Sequence, residues 1–323
     1  MISKVRWGII GCGDVTEVKS GPGFQKAEGS ELVAVMRRNE KLAEDYAQRH
    51  NVPKWYNDAN KLINDPDVDA VYIATPPSTH KEYTIAAASA GKPVYVEKPM
   101  ALNYSECIEM VETCRKFNVP LFVAYYRRAL PRFLKVKSLL EENRIGEIRS
   151  VSIKFFQQTT DKDLSPDNWR VDSSIAGCGY FCDLGSHMID LIQFLLGKIS
   201  DASGYTFNQS KLYKAEDTVS ATFIFENGIC GNGIWSFSAF NNLDETEILG
   251  TKGKITYSTF SNEPLRLYIN NRMEEINIEH PLHVAQPLIQ LVVNDLLGKG
   301  ISPSNGDTGS QTSLIMDKIL GRR

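Results

Sequence analysis

The stretch VRWGIIGCGDVT, residues 5–16, decides the fold. Residues 5–10 form a short, mainly apolar and β-branched run of strand length, and it passes directly into the glycine turn at 11–13. A strand that turns sharply on glycines and then opens a helix exposes backbone N–H groups and the positive helix end, an arrangement that receives a pyrophosphate. Gly11, Gly13, Asp14 and Val15 are therefore expected to bind a dinucleotide. The plainer alternative is a tight turn with no ligand. Thr16 stands where a third glycine is usual, and KSGPGF at 19–24 interrupts the helix that should follow. Gly21 and Gly23 then read either as part of an altered approach to the phosphates or as a mobile lip.

Outward from this unit the same grammar repeats. Apolar runs at 32–36, 70–75, 94–96 and 121–125 are continuous rather than alternating, as strands become when helices cover both faces of a parallel sheet. Between them, helices open at Asn39 and Asn103, whose side chains suit N-caps, and one stops at Gly91. A doubly wound parallel sheet is expected. Beyond the second strand, about 20 residues past the glycines, a carboxylate normally holds the ribose 2′-hydroxyl. Arg37 and Arg38 occupy that address. Guanidinium forks grip a 2′-phosphate that a carboxylate would repel, so NADP(H) is the preferred cofactor and NAD(H) the second. The alternative is a pair of solvated arginines at a helix start.

After about residue 126 the grammar changes, which divides the 323 residues into 1–126, a dinucleotide-binding α/β domain, and 127–323, an α+β domain with an open, mainly antiparallel sheet. A helix at 131–142 leads into strands at 148–156, 217–225 and 229–238, the last two joined by a hairpin turn at 226–228. YFCDLGSHMIDLIQFLLG, 180–197, is the main helix of this half, ended by Gly197. Spacings of four and three place Asp183, His187 and Asp190 on one of its faces. SPSNGDTGSQ, 302–311, reads as a loop before a last helix.

Hydrophobic residues at 42%, charged residues at 23% and a net charge of -3 describe an ordinary folded protein and exclude a nucleic-acid-coating one. No apolar run approaches a membrane span, and the start of the chain reads as a strand rather than a signal peptide. A cytoplasmic protein without nucleic-acid or membrane partners is expected, and its six scattered cysteines are expected to be reduced, with no disulfides.

Three further motifs, ATPPSTH at 74–80, EKP at 97–99 and DLGSHMID at 183–190, resemble those of the glucose-fructose oxidoreductase and inositol dehydrogenase (Gfo/Idh/MocA) family, and the likeness spans nearly the whole chain. The resemblance implies a Rossmann domain followed by a substrate-binding and oligomerising sheet domain, in an NAD(P)-dependent oxidoreductase acting on CH–OH groups of sugars or polyols. It implies cofactor contacts from Thr75, Pro76, His80, Glu97 and Lys98, and catalytic roles for Lys98, Asp183 and His187. Pro99 resembles the family's cis proline. Independently, an ammonium at the carboxyl end of a parallel strand lies where such sheets bind ligands and can stabilise a developing alkoxide. Histidine changes charge near neutral pH, which suits giving or taking the hydroxyl proton, and a carboxylate can orient it. A surface lysine and a structural histidine are the bland alternatives. Tyr126 departs from the family's usual asparagine or histidine, and Trp169 and Arg170 in DNWRVD resemble a substrate-side loop. All three are candidates to face a sugar-like or polyol-like substrate, packing or a salt bridge being the alternative.

Competing readings are a zinc site from Cys178, Cys182 and His187, disfavoured by irregular spacing, so that no metal is expected. A non-catalytic NADP-binding sensor and a glycosidase with a retained redox cofactor are the others. The antiparallel sheet needs cover on one face, so a homodimer or homotetramer is expected.

Overall fold

The computed structural model of the chain describes residues 3–165 and 167–322. The first sheet takes β1 (Val5–Ile10), β2 (Ser30–Met36), β3 (Lys54–Tyr56), β4 (Ala70–Ile73), β5 (Val94–Val96) and β6 (Leu121–Val123). Helices α1 (Asp14–Val18), α2 (Gly21–Lys26), α3 (Glu40–Arg49), α4 (Ala59–Ile63), α5 (His80–Ser89) and α6 (Tyr104–Lys116) alternate with these strands. The chain continues through α7 (Pro131–Glu141), β7 (Ile148–Phe156), α8 (Ser173–Ala176) and α9 (Ser186–Leu196). Then come β8 (Ile199–Phe207), β9 (Thr218–Phe225), β10 (Cys230–Ser236), β11 (Leu243–Gly250), β12 (Gly253–Tyr257), β13 (Leu265–Ile269) and β14 (Arg272–Ile276). It closes with α10 (Gln286–Leu296) and α11 (Gly306–Ile319).

Contacts divide the chain into one unit of residues 1–130 and 281–310 and another of 131–280 and 311–323. The expected division at 126/127 differs from this at its far end, because α10 returns to the first unit and packs Leu288, Ile289, Val292 and Val293 into its core. In that unit the six strands run in the order β3-β2-β1-β4-β5-β6, all parallel. Alternation along them fills two apolar layers. Trp7, Ile9, Tyr72 and Tyr95 enter one, while Ile10, Val71, Ile73, Val94 and Val96 enter the other. The expected N-caps form, with Asn39 accepting from the Leu42 N–H and Asn103 from the Glu106 N–H.

Gly21 and Gly23 are not a mobile lip. Both are buried in α2, and a Cβ on Gly21 would lie 2.1 Å from the Thr16 carbonyl oxygen and 2.4 Å from the Tyr46 hydroxyl. The glycines let α2 close down, which carries Phe24 into an aromatic cluster 4.9 Å from both Trp7 and Tyr72.

The second unit holds one eight-stranded sheet, order β14-β13-β12-β11-β7-β10-β9-β8, antiparallel except for the β7–β10 pair. Strict alternation in β9 buries Val219, Ala221, Phe223 and Phe225 and exposes Ser220, Thr222 and Ile224. Gly228, at φ +85°, makes the hairpin turn after it. Two expectations need correction here. The polar stretch 302–311 is only partly loop, since α11 already begins at Gly306. Cys178 and Cys182 are joined in a disulfide, where none was expected. Gly177, at φ 87°, ends α8, and in the turn that follows, where the Cys182 N–H donates to the Gly179 carbonyl at 3.0 Å, the two Cα atoms lie 5.5 Å apart, within the span a disulfide bridges.

Candidate functional site

In the first unit the glycine turn is fixed from β2, with the Met36 carbonyl accepting from the N–H of Gly11 at 2.8 Å and of Cys12 at 3.1 Å. Gly11 is left-handed at φ +89°, and any Cβ there would meet Thr75 Cγ2 at 2.7 Å. Above Gly13 the nearest atom to such a Cβ is 3.9 Å away, so its backbone is open to a close-lying group. Thr16, in the place of the third glycine, donates its hydroxyl to the Gly13 carbonyl at 2.8 Å, and its own carbonyl accepts from the Tyr46 hydroxyl at 2.9 Å. Asp14 and Val15 open α1, which is only five residues long.

Arg37 and Arg38 follow β2 directly, half-buried and exposed in turn, and the Arg37 N–H donates to the Tyr56 carbonyl of β3. Burial pushes the Cys12 thiol up to about 11 against the pull of the nearby Arg37 charge. An open glycine backbone beside two guanidinium groups fits the phosphates of a dinucleotide.

Thr75 and Pro76 lie just past β4, and the Thr79 hydroxyl donates to Thr75 Oγ1 at 2.8 Å. His80 is fully buried, with Nε2 2.8 Å from the Thr75 carbonyl and Nδ1 3.0 Å from that of Pro99, so it ties the two loops together. Carbonyls at both nitrogens favour a protonated ring, yet burial outweighs them and pulls its pKa down to about 4.

Glu97 directly follows β5 as a buried carboxylate. Its Oε1 accepts from the Tyr72 hydroxyl at 2.5 Å and its Oε2 from the Lys98 N–H at 3.2 Å. Burial raises its pKa, and the Lys98 charge and the Tyr72 hydrogen bond work against that rise. Lys98 itself is half-buried and precedes a cis Pro99. Tyr126 begins a 3-10 turn, packs on the aromatic layer and carries the Arg127 guanidinium 5.1 Å from its ring centre. Tyr72 was missed in the sequence; a hydroxyl within the apolar run AVYIA was the available signal.

In the second unit Asp183 does not lie on an α-helix but in a π-helical turn, Phe181–Gly185, that leads into α9. His187 and Asp190 follow in α9, both buried. Asp190 accepts from the Thr312 hydroxyl at 3.2 Å. The Arg170 guanidinium, in the 3-10 turn Trp169–Val171, reaches Asp183 at 3.3 Å and lies 4.6 Å from the Trp169 ring centre. Phe260, whose ring centre is 6.0 Å from that of His187, was also missed.

Among the described residues no group of three or more His, Cys, Asp or Glu side chains is arranged to hold a metal ion, and the disulfide engages both sulfurs of the zinc reading. Nor is any described helix long and apolar enough to cross a membrane.

A family profile described as "Oxidoreductase family, NAD-binding Rossmann fold" matches residues 5–125, and one described as "GFO/IDH/MocA C-terminal domain" matches residues 133–256. The chain is 41% identical to Oxidoreductase P35 of Formosa agariphila, over 99% of this chain and 100% of that one. It is 31% identical to the trans-1,2-dihydrobenzene-1,2-diol dehydrogenase of Mus musculus, over 84% and 79% of the two chains. Among solved structures, a levoglucosan dehydrogenase in complex with NADH and levoglucosan superposes with a TM-score of 0.86 at 27% identity, covering 98% of this chain and 96% of that one.

Proposed function

The chain belongs to the GFO/IDH/MocA oxidoreductase family, and on that premise we propose that it transfers a hydride to or from the CH–OH carbon of a sugar-like or polyol-like substrate, preferring NADP(H) to NAD(H). The observation that carries this reading is the nucleotide cradle, closed around Gly11, open above Gly13 and flanked by two arginines. A bound nicotinamide dinucleotide would supply or accept the hydride. The glycine turn, Arg37, Arg38 and the loop from Thr75 would hold it, with Glu97 near its ribose. Lys98 places positive charge on the reacting oxygen, and His187 gives that oxygen its proton or removes it, with Asp183 supporting the imidazolium. Trp169, Arg170 and Tyr126 serve the substrate side.

The cofactor preference is electrostatic. No carboxylate follows Met36 to accept a 2′-hydroxyl, and each charge-assisted bond from an arginine to a 2′-phosphate contributes about 1.5 to 3 kcal/mol. Wild-type kcat/KM is expected to favour NADPH over NADH by about tenfold or more, and Arg37→Ala or Arg38→Ala to erode that ratio. Equal use of the two cofactors by the wild type, or an unchanged ratio in both variants, makes these arginines plain surface charges.

We also propose a homodimer or homotetramer built on the second unit's sheet, because Thr222, Ile224, Asn232 and Ile234 of β9 and β10 share one exposed face. Light scattering that reports a monomer at working concentration removes this part. A cytoplasmic location completes the reading, and the Cys178–Cys182 bond is the feature that speaks against it.

A further inference from the structure

In the usual dinucleotide turn a third glycine brings the following helix close against the strand. Here Thr16 replaces that glycine, and α1 ends after five residues where KSGPGF, 19–24, breaks the chain into α2. A helix this short is not stable on its own in water, so the set of its backbone depends on what grips it from outside. The last turn of α3 does so, through Tyr46, Arg49 and His50, which share one face at spacings of three and four. The Tyr46 hydroxyl donates at 2.9 Å to the carbonyl of Thr16, one of the last four of α1 and so without a partner inside that helix. Thr16 passes the constraint on, since its N–H and its hydroxyl both donate to the Gly13 carbonyl, at 2.9 Å and 2.8 Å.

Glu17 is gripped at both carboxylate oxygens. Arg49 donates to Oε1 at 2.8 Å and to Oε2 at 2.9 Å, and His50 Nε2 donates to Oε2 at 2.8 Å. The His50 ring stacks on that of Tyr46 at 4.1 Å, so the gripping side chains also steady one another. The Arg49 fork holds the Glu17 carboxyl down at about 2, and the group is charged at neutral pH.

We propose that Glu17, Tyr46, Arg49 and His50 form a clamp that presets the glycine turn for the pyrophosphate of the cofactor, with α3 supplying the hold that a longer α1 would give. These are positioning residues, and the inference rests on the reading of residues 11–15 as the dinucleotide site. Charge alone and a clamp give opposite signs. Glu17 lies four residues from Gly13, about one helical turn, so as a plain charge it repels a pyrophosphate. Neutralising it would then tighten binding, the more so because Arg49 loses one of its two carboxylates and keeps only Asp45. If Glu17 clamps, neutralising it weakens binding, because only a fraction of the free protein then has the turn set for the ligand.

The test is the dissociation constant of NADPH and of NADH, titrated by calorimetry with no substrate present. Glu17→Gln is expected to raise both constants by about threefold or more and by the same factor, since the pyrophosphate is common to the two cofactors and Arg37 and Arg38 are untouched. Tyr46→Phe should act in the same direction. Glu17→Gln combined with Arg49→Gln should bind no more weakly than the weaker single variant, because the two side chains act as one unit. The ion pair is partly exposed, so Tm of the unliganded Glu17→Gln protein should fall by no more than about 2 °C, which sets the loss of affinity apart from general damage. A Glu17→Gln protein that binds both cofactors as tightly as the wild type, or more tightly, overturns the clamp and leaves the nucleotide site standing. A wild type that binds neither cofactor removes the nucleotide reading and the clamp with it.

Discussion

Alanine in place of Lys98 is expected to lower kcat by about 10²- to 10³-fold while the NADPH dissociation constant stays within about threefold of wild type, the pattern left by losing a contact made mainly in the transition state. Lys98 lies just past β5 at the carboxyl end of a parallel sheet, where ligands bind in such folds. Its backbone N–H is held by Glu97, whose other carboxylate oxygen is held by Tyr72. Backbone and neighbours are thus fixed before any substrate arrives, which is what preorganised charge requires.

One complication has a definite sign. Glu97 is buried and its pKa is already raised, with the Lys98 charge among the influences that keep it down. Removing that charge costs the ionised Glu97 a partner, so Lys98→Ala should also lower Tm, and kcat must be read well below the new midpoint. Lys98→Met keeps the stem and should match alanine in kcat. Lys98→Arg keeps the charge but replaces a compact ammonium with a broad fork, so it should recover only part of the loss. A folded Lys98→Ala with kcat within about threefold of wild type would show that this lysine only balances Glu97.

How far the sequence reaches is seen best where neighbouring elements differ. Central strands β1, β4 and β5 are legible because helices cover both faces and nearly every position is apolar, Arg6 of β1 being the charged exception. The edge strand β3, Lys54–Tyr56, is three half-buried residues with no pattern to read. In β11, LDETEILG, acidic residues at the open positions dilute the alternation, and its pairing with β7 comes from far along the chain. The return of α10 to the first unit is a tertiary choice that its amphipathic sequence permits without specifying. A four-residue spacing cannot tell a π-helical turn from an α-helix, so the expected α-helical position of Asp183 is a π-helical one.

The site divides in the same way. Gly11, Gly13, Lys98, Asp183 and His187 announce themselves by chemistry carried within a short motif. Their supports do not, because they arrive from other strands and loops: Tyr72 from β4 onto Glu97, and Arg170 onto Asp183. The disulfide belongs with them. Cys178 and Cys182 meet across a tight turn in which the Cys182 N–H donates to the Gly179 carbonyl, and a spacing of four between cysteines does not by itself announce that turn.

For His187→Ala the expected loss in kcat is about 10²- to 10⁴-fold, the span general acid–base catalysis covers, again with NADPH binding little changed. Alcohol oxidation needs a base for the hydroxyl proton and carbonyl reduction needs an acid, and a single imidazole does both by microscopic reversibility. The kcat/KM for oxidation should therefore rise with pH through one limb in the wild type, and that limb should vanish in the alanine variant. Added imidazole should restore part of the lost turnover, which a purely structural histidine would not allow. Asp183 enters as support. It is half-buried and ion-paired to Arg170 at 3.3 Å, so its charge is held near α9 rather than left to solvent. Asp183→Asn keeps the shape and removes the charge that favours imidazolium, and it should cost less than His187→Ala while moving the oxidation limb to lower pH. Arg170→Ala releases the carboxylate from its cation, strengthens its pull on the imidazolium and should move the limb the opposite way. A His187→Ala enzyme that retains the limb, or that added imidazole leaves unchanged, places the proton transfer on another group and reduces His187 to packing beside Phe260.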